Sequence, residues 1–351
     1  MTQLWSDFIA QLNAGKDLTA PDIQSVLNSI LRDEADIESI KVFLIALSQK
    51  GESPAEVIAL VEELYRHAAP ISIAERAVDT VGTGGDGFHT INISSTAAVV
   101  AAAAGARVVK HGSRAVSSKS GASDFYAALG IIHDLDGAGV ETTVRELGIG
   151  FCFAPVFHPA MRFVAPARKE LGVPTVFNFL GPLVNPAKPK AIALGVANER
   201  IHKTMAQVMA SKGCDGFIFR GDDGLDEITL NGTTTVLAIG GEKIVREEID
   251  AKDFGIGNAP LAAIVGGDGA ENAAISMAIF KGEKGAPRDV VLLNAAVTIA
   301  AFEGELALPI QERISQGLIR AEKAIDSGAA LDLVAKWGEL SRSIALSANK
   351  P

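Results

Sequence analysis

The sequence predicts an α/β protein in which a small N-terminal helical domain precedes a large α/β domain built on a central, mostly parallel sheet. Three observations carry this. Residues 1–70 show only helical periodicity. From residue 77 onward, short β-rich runs alternate with helical stretches. A glycine-rich loop follows the first of those strands, and a helix opens a few residues later. Of 351 residues, 48% are apolar and 21% charged, so a sizeable core can form and wholesale disorder is excluded. Aromatics are only 5% while there are 35 glycines, which predicts a mostly aliphatic core and frequent turns.

The helical part is read first. One helix lies near residue 10. Thr19-Ala20-Pro21-Asp22 has the form of a capping box, and Ile23, Val26, Leu27, Ile30 and Leu31 then share one face. Ile37, Ile40, Phe43, Leu44 and Leu47 repeat that stripe. Ser53-Pro54-Ala55-Glu56 starts a further helix, with Pro at its first position and Val57, Ile58, Val61, Leu64 and Tyr65 along it. Internal packing accounts for most of these stripes. The stretch from Pro70 to Glu75 reads as a linker. Strands are then expected at Ala77–Val81, Arg107–Lys110, Gly150–Phe153, Ala191–Val196, Gly216–Arg220, Thr234–Ile239 and Leu261–Val265. A helix is expected at Ser95–Ala104, and further helical stretches lie between or after many of the strands, for example Arg200–Lys212, Ala270–Lys281, Asp289–Phe302 and Ile310–Asp326.

Several function classes are disfavoured. The net charge of −10 has the wrong sign for a non-specific polyanion binder, so no nucleic-acid partner is expected. The first residues, MTQLWSDF, hold an acid and no basic region, so no secretory signal is expected. The apolar stretch Ala97–Val109 is interrupted by Gly105 and Arg107 and falls short of the roughly 20 residues that span a bilayer, so no membrane association is expected. Two cysteines, Cys152 and Cys214, cannot make a disulfide framework, and a reducing cytoplasm is the expected location.

Three clusters carry chemistry. The run Val81-Gly82-Thr83-Gly84-Gly85-Asp86-Gly87 can bring consecutive backbone amides to one anion, and Asn92-Ile93-Ser94-Ser95-Thr96 opens the next helix. Alone, such a run is more simply a tight strand-to-helix turn; it matches neither the dinucleotide fingerprint nor the P-loop. Lys110-His111-Gly112-Ser113-Arg114-Ala115-Val116-Ser117-Ser118-Lys119-Ser120-Gly121 holds three Lys/Arg cations and four serines with no acid, a local reversal of the chain's charge. An exposed basic loop is the plainer alternative, but the position at a strand end favours an anion site. Arg220-Gly221-Asp222-Asp223-Gly224-Leu225-Asp226-Glu227 offers hard oxygen ligands of the kind that hold Mg²⁺ together with substrate phosphates, although a solvated acidic turn has the same composition. Together the three are consistent with a metal-bridged polyphosphate ligand.

With these residues in view, the chain closely resembles the anthranilate phosphoribosyltransferase family. The resemblance rests on VDTVGTGGDGFHTINIS, KHGSRAVSSKSGASD, HPAMRFVAPARKELGVPTVFNFLGPLVNP, GDDGLDEI and NAAISMAIFKGEKGAPRDVVLLNAA, in the family's order. It implies the nucleoside phosphorylase/phosphoribosyltransferase-like fold. The small domain would span residues 1–70 and receive helices from about 168–190; residues 71–351 would form the large one. It implies transfer of phosphoribosyl from 5-phosphoribosyl 1-diphosphate (PRPP) to the amine of anthranilate in tryptophan biosynthesis, with release of pyrophosphate. A homodimer formed through the small domain is also implied.

Carried over by position, the resemblance puts Gly82 where both substrates approach. Gly85, Asp86, Thr90, Asn92, Ile93, Ser94 and Ser95 would hold the diphosphate and ribose. Lys110, His111, Gly112, Ser113, Arg114, Ala115, Val116, Ser117, Ser118 and Ala122 would surround the phosphoribosyl group. Ser94, Asp226 and Glu227 match the magnesium ligands, for two Mg²⁺ ions. Arg168, His158 and Ser113 match the anthranilate side. The family carries Asn at position 113, so a hydroxyl here replaces an amide. It also reads Ser-Ala where this chain has Ala122-Ser123, which displaces a hydroxyl by one residue. No general base is assigned; His111 and His158 are the candidates for a late proton. Two relatives of the same fold, a pyrimidine nucleoside phosphorylase and a nucleic-acid-binding protein, are the alternative readings. The Asp226-Glu227 pair weighs against the first and the net charge against the second.

Overall fold

The computed structural model describes residues 3–115 and 119–348. Four helices come first: α1 (Gln3–Asn13), α2 (Ala20–Leu31), α3 (Ile37–Lys50) and α4 (Pro54–Arg66). Both expected capping boxes form. The Thr19 hydroxyl accepts from the Asp22 amide while Asp22 accepts from Thr19, and Ser53 and Glu56 do the same for α4. Glu56 is fully buried, yet Lys50 Nζ at 2.6 Å and Leu18 N at 3.0 Å complete its partners.

The chain continues through β1 (Val78–Gly82), α5 (Ile93–Ala103), β2 (Val108–Gly112), α6 (Ala122–Ala128), α7 (Gly137–Leu147) and β3 (Ile149–Phe153). Two short helices follow, α8 (Ala154–Phe157) and α9 (Ala165–Leu171), with 3₁₀ turns at Val176–Asn178 and Gly181–Leu183. Then come β4 (Ala191–Gly195), α10 (Glu199–Ser211), β5 (Asp215–Gly221), β6 (Thr233–Gly240) and β7 (Lys243–Asp250). Helices α11 (Gly269–Phe280), α12 (Ala286–Glu303), α13 (Ile310–Asp326) and α14 (Ala329–Ala348) end the described chain.

All seven strands join one sheet in the order β3-β2-β1-β4-β5-β6-β7. The first five are parallel; β6 and β7 are antiparallel additions at one edge. The chain runs outward from β1 through β2 to β3, then returns to pair β4 with the other side of β1, in register from Val78↔Ala191 to Gly82↔Gly195. The strand order therefore reverses between β1 and β4. In open α/β sheets, ligands gather beyond the strand ends at such a point.

Alternating side chains place the sheet between two apolar layers. In β4, Ala191 and Ala193 face one core cluster while Ile192 and Leu194 face another; in β5, Phe217 and Phe219 oppose Ile218 in the same way. The first layer is closed by α5, α12, α13 and α14. The second runs without interruption from the sheet through α10 and Val164, Ala167, Val176 and Phe177 into α1–α4. Polar ties reinforce that junction: Tyr65 OH donates to Leu183 O at 3.1 Å, and Arg200 pairs with Glu52 at 3.0 Å.

Among the strands, two differ from the sequence reading. Leu261–Ile264 is a 3₁₀ turn, not a strand, and only Val265 makes an isolated bridge, to Thr90. Pro260 before it and Gly266-Gly267 after it confine the apolar run to a turn. Strand β7 was not expected. Its sequence, KIVREEID, is too charged to read as a half-buried strand, which is the composition that protects a sheet edge. No helix among the described residues is long and apolar enough to cross a membrane.

Candidate active site

The loop after β1 bends through left-handed backbone at Gly84, Gly85 and Gly87, with φ of +67°, +83° and +79°. A Cβ at any of the three would meet nothing within 4 Å, so the loop borders open space. Its cleft is also lined by Asp86, Phe88, Ala197, Asn198, Asp223 and Gly224, which come from the loops after β1, β4 and β5. A second cavity, among Ile299, Glu303, Arg313 and Arg320 of α12 and α13, shares no residue with this one.

Asp226 lies across the ends of β1 and β4. A Cβ at Gly82 would stand 2.9 Å from Asp226 Cγ, and one at Gly195 would stand 3.2 Å from Asp226 Cα, each closer still to an Asp226 oxygen. Glycine at the end of β1 leaves room for that carboxylate, and glycine at the end of β4 leaves room for the Asp226 backbone. Asp226 Oδ2 accepts from Gly84 N at 2.6 Å. Glu227 Oε1 accepts from Ser94 N at 3.1 Å, at the free amides of the α5 N-terminus. Lys110, on β2, is buried and donates through Nζ to Thr80 O and to Ser94 Oγ, the latter at 3.2 Å. Gly82, the glycine loop, Ser94, Lys110, Asp226 and Glu227 are therefore brought together.

Electrostatics mark this group as incomplete by itself. Burial, with Asp86 nearby, pushes the Asp226 carboxyl up to about 7. Burial and then the Asp226 charge push Glu227 up to about 8, against the pull of Lys110. Burial lowers the Lys110 ammonium, while Asp79, Glu227 and Asp226 oppose that shift. Two adjacent buried carboxyls, Asp226 between the Gly84 amide and Asp86 and Glu227 on the Ser94 amide, gather negative charge that a hard divalent cation would neutralise. Among the described residues, no group of three or more His, Cys, Asp or Glu could hold a metal ion by itself. An ion here fits only with a hydroxyl such as that of Ser94 and with oxygens of a bound ligand.

The other acids of that run serve the turn. Asp223 accepts from Leu225 N and from Thr229 Oγ1, and Asp222 accepts from Thr233 Oγ1. Asn92 is held on both sides: its Oδ1 accepts from Ser120 Oγ and Asn272 Nδ2, both at 2.8 Å. Thr90 sits beside it on the bridge to Val265. Ile93 and Ser95 have buried side chains, so any contact they make to a ligand runs through the backbone.

In the basic loop, Arg114 is exposed, and Ser113 and Ala115 are half-buried against Gly121; Asp124 accepts from the Ala115 and Gly121 amides. Gly112 packs on Phe151 and Ala122. Val116, Ser117 and Ser118 lie outside the described residues. The Ser123 hydroxyl is buried and has no hydrogen-bond partner among the described residues.

His111 does not sit in the basic loop but inside β2. Its Nδ1–H donates to Gly181 O at 3.0 Å and its ring meets His158 edge-on, with centroids 5.3 Å apart. Burial drives His111 down to about 3, so it is no cation for a phosphate. His158 Nε2–H donates to Val184 O at 2.8 Å, and burial lowers it too. Arg168, half-buried on α9, lies over the Phe177 ring at 5.9 Å, away from the acidic pair's hydrogen bonds. Sequence reasoning missed Asp79, Asn185, Asn272 and Asn294. Asp79 is fully buried in β1, accepts from Asn185 Nδ2 and His111 N, and is pushed up to about 6 by burial.

Two family models divide the chain in the same sense as this geometry. The helical bundle domain of a glycosyl transferase family matches residues 6–68, and the a/b domain of a glycosyl transferase family matches residues 74–331. Fold and site thus define a glycosyl transferase. An anthranilate phosphoribosyltransferase of Rhodococcus jostii is 45% identical over 98% of this chain and 95% of its own. A crystal structure of the Thermus thermophilus anthranilate phosphoribosyltransferase superposes with a TM-score of 0.88 at 37% identity, covering 96% of this chain and 99% of that one. The Saccharomyces cerevisiae enzyme in complex with PRPP and Mg gives 0.87 at 28% identity, covering 97% and 98%; another of its structures contains 4-fluoroanthranilate. The chain belongs to the anthranilate phosphoribosyltransferase family and is an enzyme of that family.

Proposed function

We propose that the protein transfers phosphoribosyl from PRPP to the amine of anthranilate, giving N-(5-phosphoribosyl)anthranilate and pyrophosphate, as a step of tryptophan biosynthesis. The observation that carries this is the buried Asp226–Glu227 pair, bonded to the glycine loop at Gly84 and to the α5 N-terminus at Ser94. A group with several negative oxygens and its cations would answer both the Gly85 and Gly87 amides of the loop and the raised carboxyls.

Asp226, Glu227 and Ser94 would hold Mg²⁺, and two ions are proposed. When bound, Mg²⁺ supplies charge neutralisation on the diphosphate as the anomeric C–O bond breaks. The chain supplies the rest. Amides of Gly85 and Gly87 and the Lys110 ammonium would face the developing negative charge, while the Gly84 amide holds Asp226. Asn92, fixed by Ser120 and Asn272, orients the ribose side. The amine of anthranilate is neutral near pH 7 and needs no base to become a nucleophile. His111 and His158 are buried weak bases engaged by carbonyls, so no general base is assigned. Arg168 would meet the anthranilate carboxylate or ring.

The reading divides the chain near residue 70 into a helical and an α/β domain. Ile37, Val42 and Ile45 remain exposed on α3, and Val173 follows α9; this supports a homodimer formed through the helical domain. Cys152 and Cys214, both buried and free, support a reducing cytoplasm.

The test follows the fluorescence of anthranilate in the presence of PRPP and Mg²⁺, omitting each in turn. Loss of fluorescence only in the complete mixture, with one pyrophosphate released per anthranilate consumed, supports the reading. Persistence of anthranilate in the complete mixture rejects it.

A further inference from the structure

We propose that Asn294 is a positioning residue for the Asp226–Glu227 pair, acting from helix α12 by clamping the residue that follows Glu227. The inference rests on the proposed role of that pair as the cation-holding group.

Asn294 is 2% exposed within a helix whose residues from Val290 to Ala301 are all buried and otherwise almost wholly apolar. A primary amide in such surroundings must satisfy one oxygen and two N–H groups. It does. Oδ1 accepts from Ile228 N at 2.9 Å, and Nδ2 donates to Ile228 O at 3.0 Å and to Val290 O at 2.9 Å. The amide cannot be turned over, because its oxygen would then face two carbonyls. The side chain thus pairs with both backbone groups of Ile228, as a neighbouring strand would.

Ile228 directly follows Glu227. On the other side of the pair, Leu225 is tied by its amide to Asp223 Oδ1 and by its carbonyl to Gly221 N at 2.9 Å. The two carboxylates therefore sit in the middle of a four-residue span anchored at both ends, Leu225 by a local turn and Ile228 by the Asn294 amide, with Thr229 beyond it bonded to Thr234 and Asp223. Helix α12 also packs along α5, whose first turn carries Ser94. The same helix thus sets the separation between Ser94 and Glu227. Without Asn294 the Ile228 amide and carbonyl would be buried and unpaired, and the segment would have to shift to find partners. Such a shift would spoil a cation site while leaving the amides of Gly85 and Gly87 in place.

The experiment is calorimetric titration of PRPP into the full-length protein, at saturating Mg²⁺ and in EDTA, with a melting curve for each variant. Asn294→Ala is expected to weaken Mg²⁺-dependent binding at least tenfold and to change binding in EDTA less than twofold. A purely structural role would weaken both alike. Thr298→Val removes another buried bond of the same helix, Thr298 Oγ1 to Asn294 O at 2.8 Å, and is expected to leave the Mg²⁺ dependence unchanged. Should Asn294→Ala not melt cooperatively, Asn294→Gln keeps the amide, moves it by one methylene and is expected to give the same split. Mg²⁺-dependent affinity within twofold of the parent in the folded variant overturns the proposal. The double variant Asp226→Asn with Glu227→Gln separates the two levels. If it loses the Mg²⁺ dependence and Asn294→Ala keeps it, only the positioning role fails; if it too keeps the dependence, the assignment of the acidic pair fails.

Discussion

Gly82 and Asp226 occupy what would be the same space: a side chain at the end of β1 would overlap the carboxylate that β5's loop lays across it. Gly195, the register partner of Gly82 on β4, makes the same concession to the Asp226 backbone. Gly82→Ala should push the carboxylate aside, since a side chain can rotate. It should cost about 100-fold in kcat/KM through misplaced electrostatics, with little loss of thermal stability. Gly195→Ala meets backbone and should lower the melting temperature more. Steady-state kinetics beside thermal melts check both.

The raised carboxyls give the metal-free protein a pH signature. The folded values of about 7 and 8 at Asp226 and Glu227 lie above the ordinary carboxylate range. The folded state therefore binds more protons than the unfolded one across that interval, and stability falls as pH rises from about 4 through 8. Asp226→Asn with Glu227→Gln removes the slope. In EDTA at pH 9 the double variant should be the more stable of the two in urea unfolding, and the two should converge near pH 4. Mg²⁺ should stabilise only the parent. Parallel pH profiles would show that the pair is not strained by its own charge.

Arg168, on α9, lies over the Phe177 ring and is not among the groups bonded to the acidic pair. Arg168→Ala should raise the KM for anthranilate at least tenfold and the KM for PRPP less than twofold, the split expected of a group that touches only the acceptor. Equal effects on both would remove it from the acceptor side.

Much of this was legible in the sequence because the governing signals are local. Capping boxes at Thr19 and Ser53, the strand-loop-helix around Gly82–Ser94, and Ile310–Asp326 with its single apolar face are each written within twenty or so residues. What was not legible depends on distant chain. Asp222 and Asp223 look like Asp226 and Glu227 in composition; only the folded turn shows that the first two bond Thr233 and Thr229 while the second two meet Gly84 and Ser94. Lys110 and His111 read as part of one basic loop, yet the pleat of β2 turns Lys110 to Ser94 and His111 to Gly181. Asn294 did leave a signal: it is the one amide in VVLLNAAVTIAA, a run too apolar to carry it without a partner.

The most direct measurement is a crystal structure of the protein with PRPP and Mn²⁺, the metal located by its anomalous scattering. The account predicts manganese at coordination distance from the Asp226 and Glu227 carboxylates, with the diphosphate against the amides of Gly85 to Gly87. Manganese and diphosphate bound elsewhere, with both carboxylates left free, would contradict it.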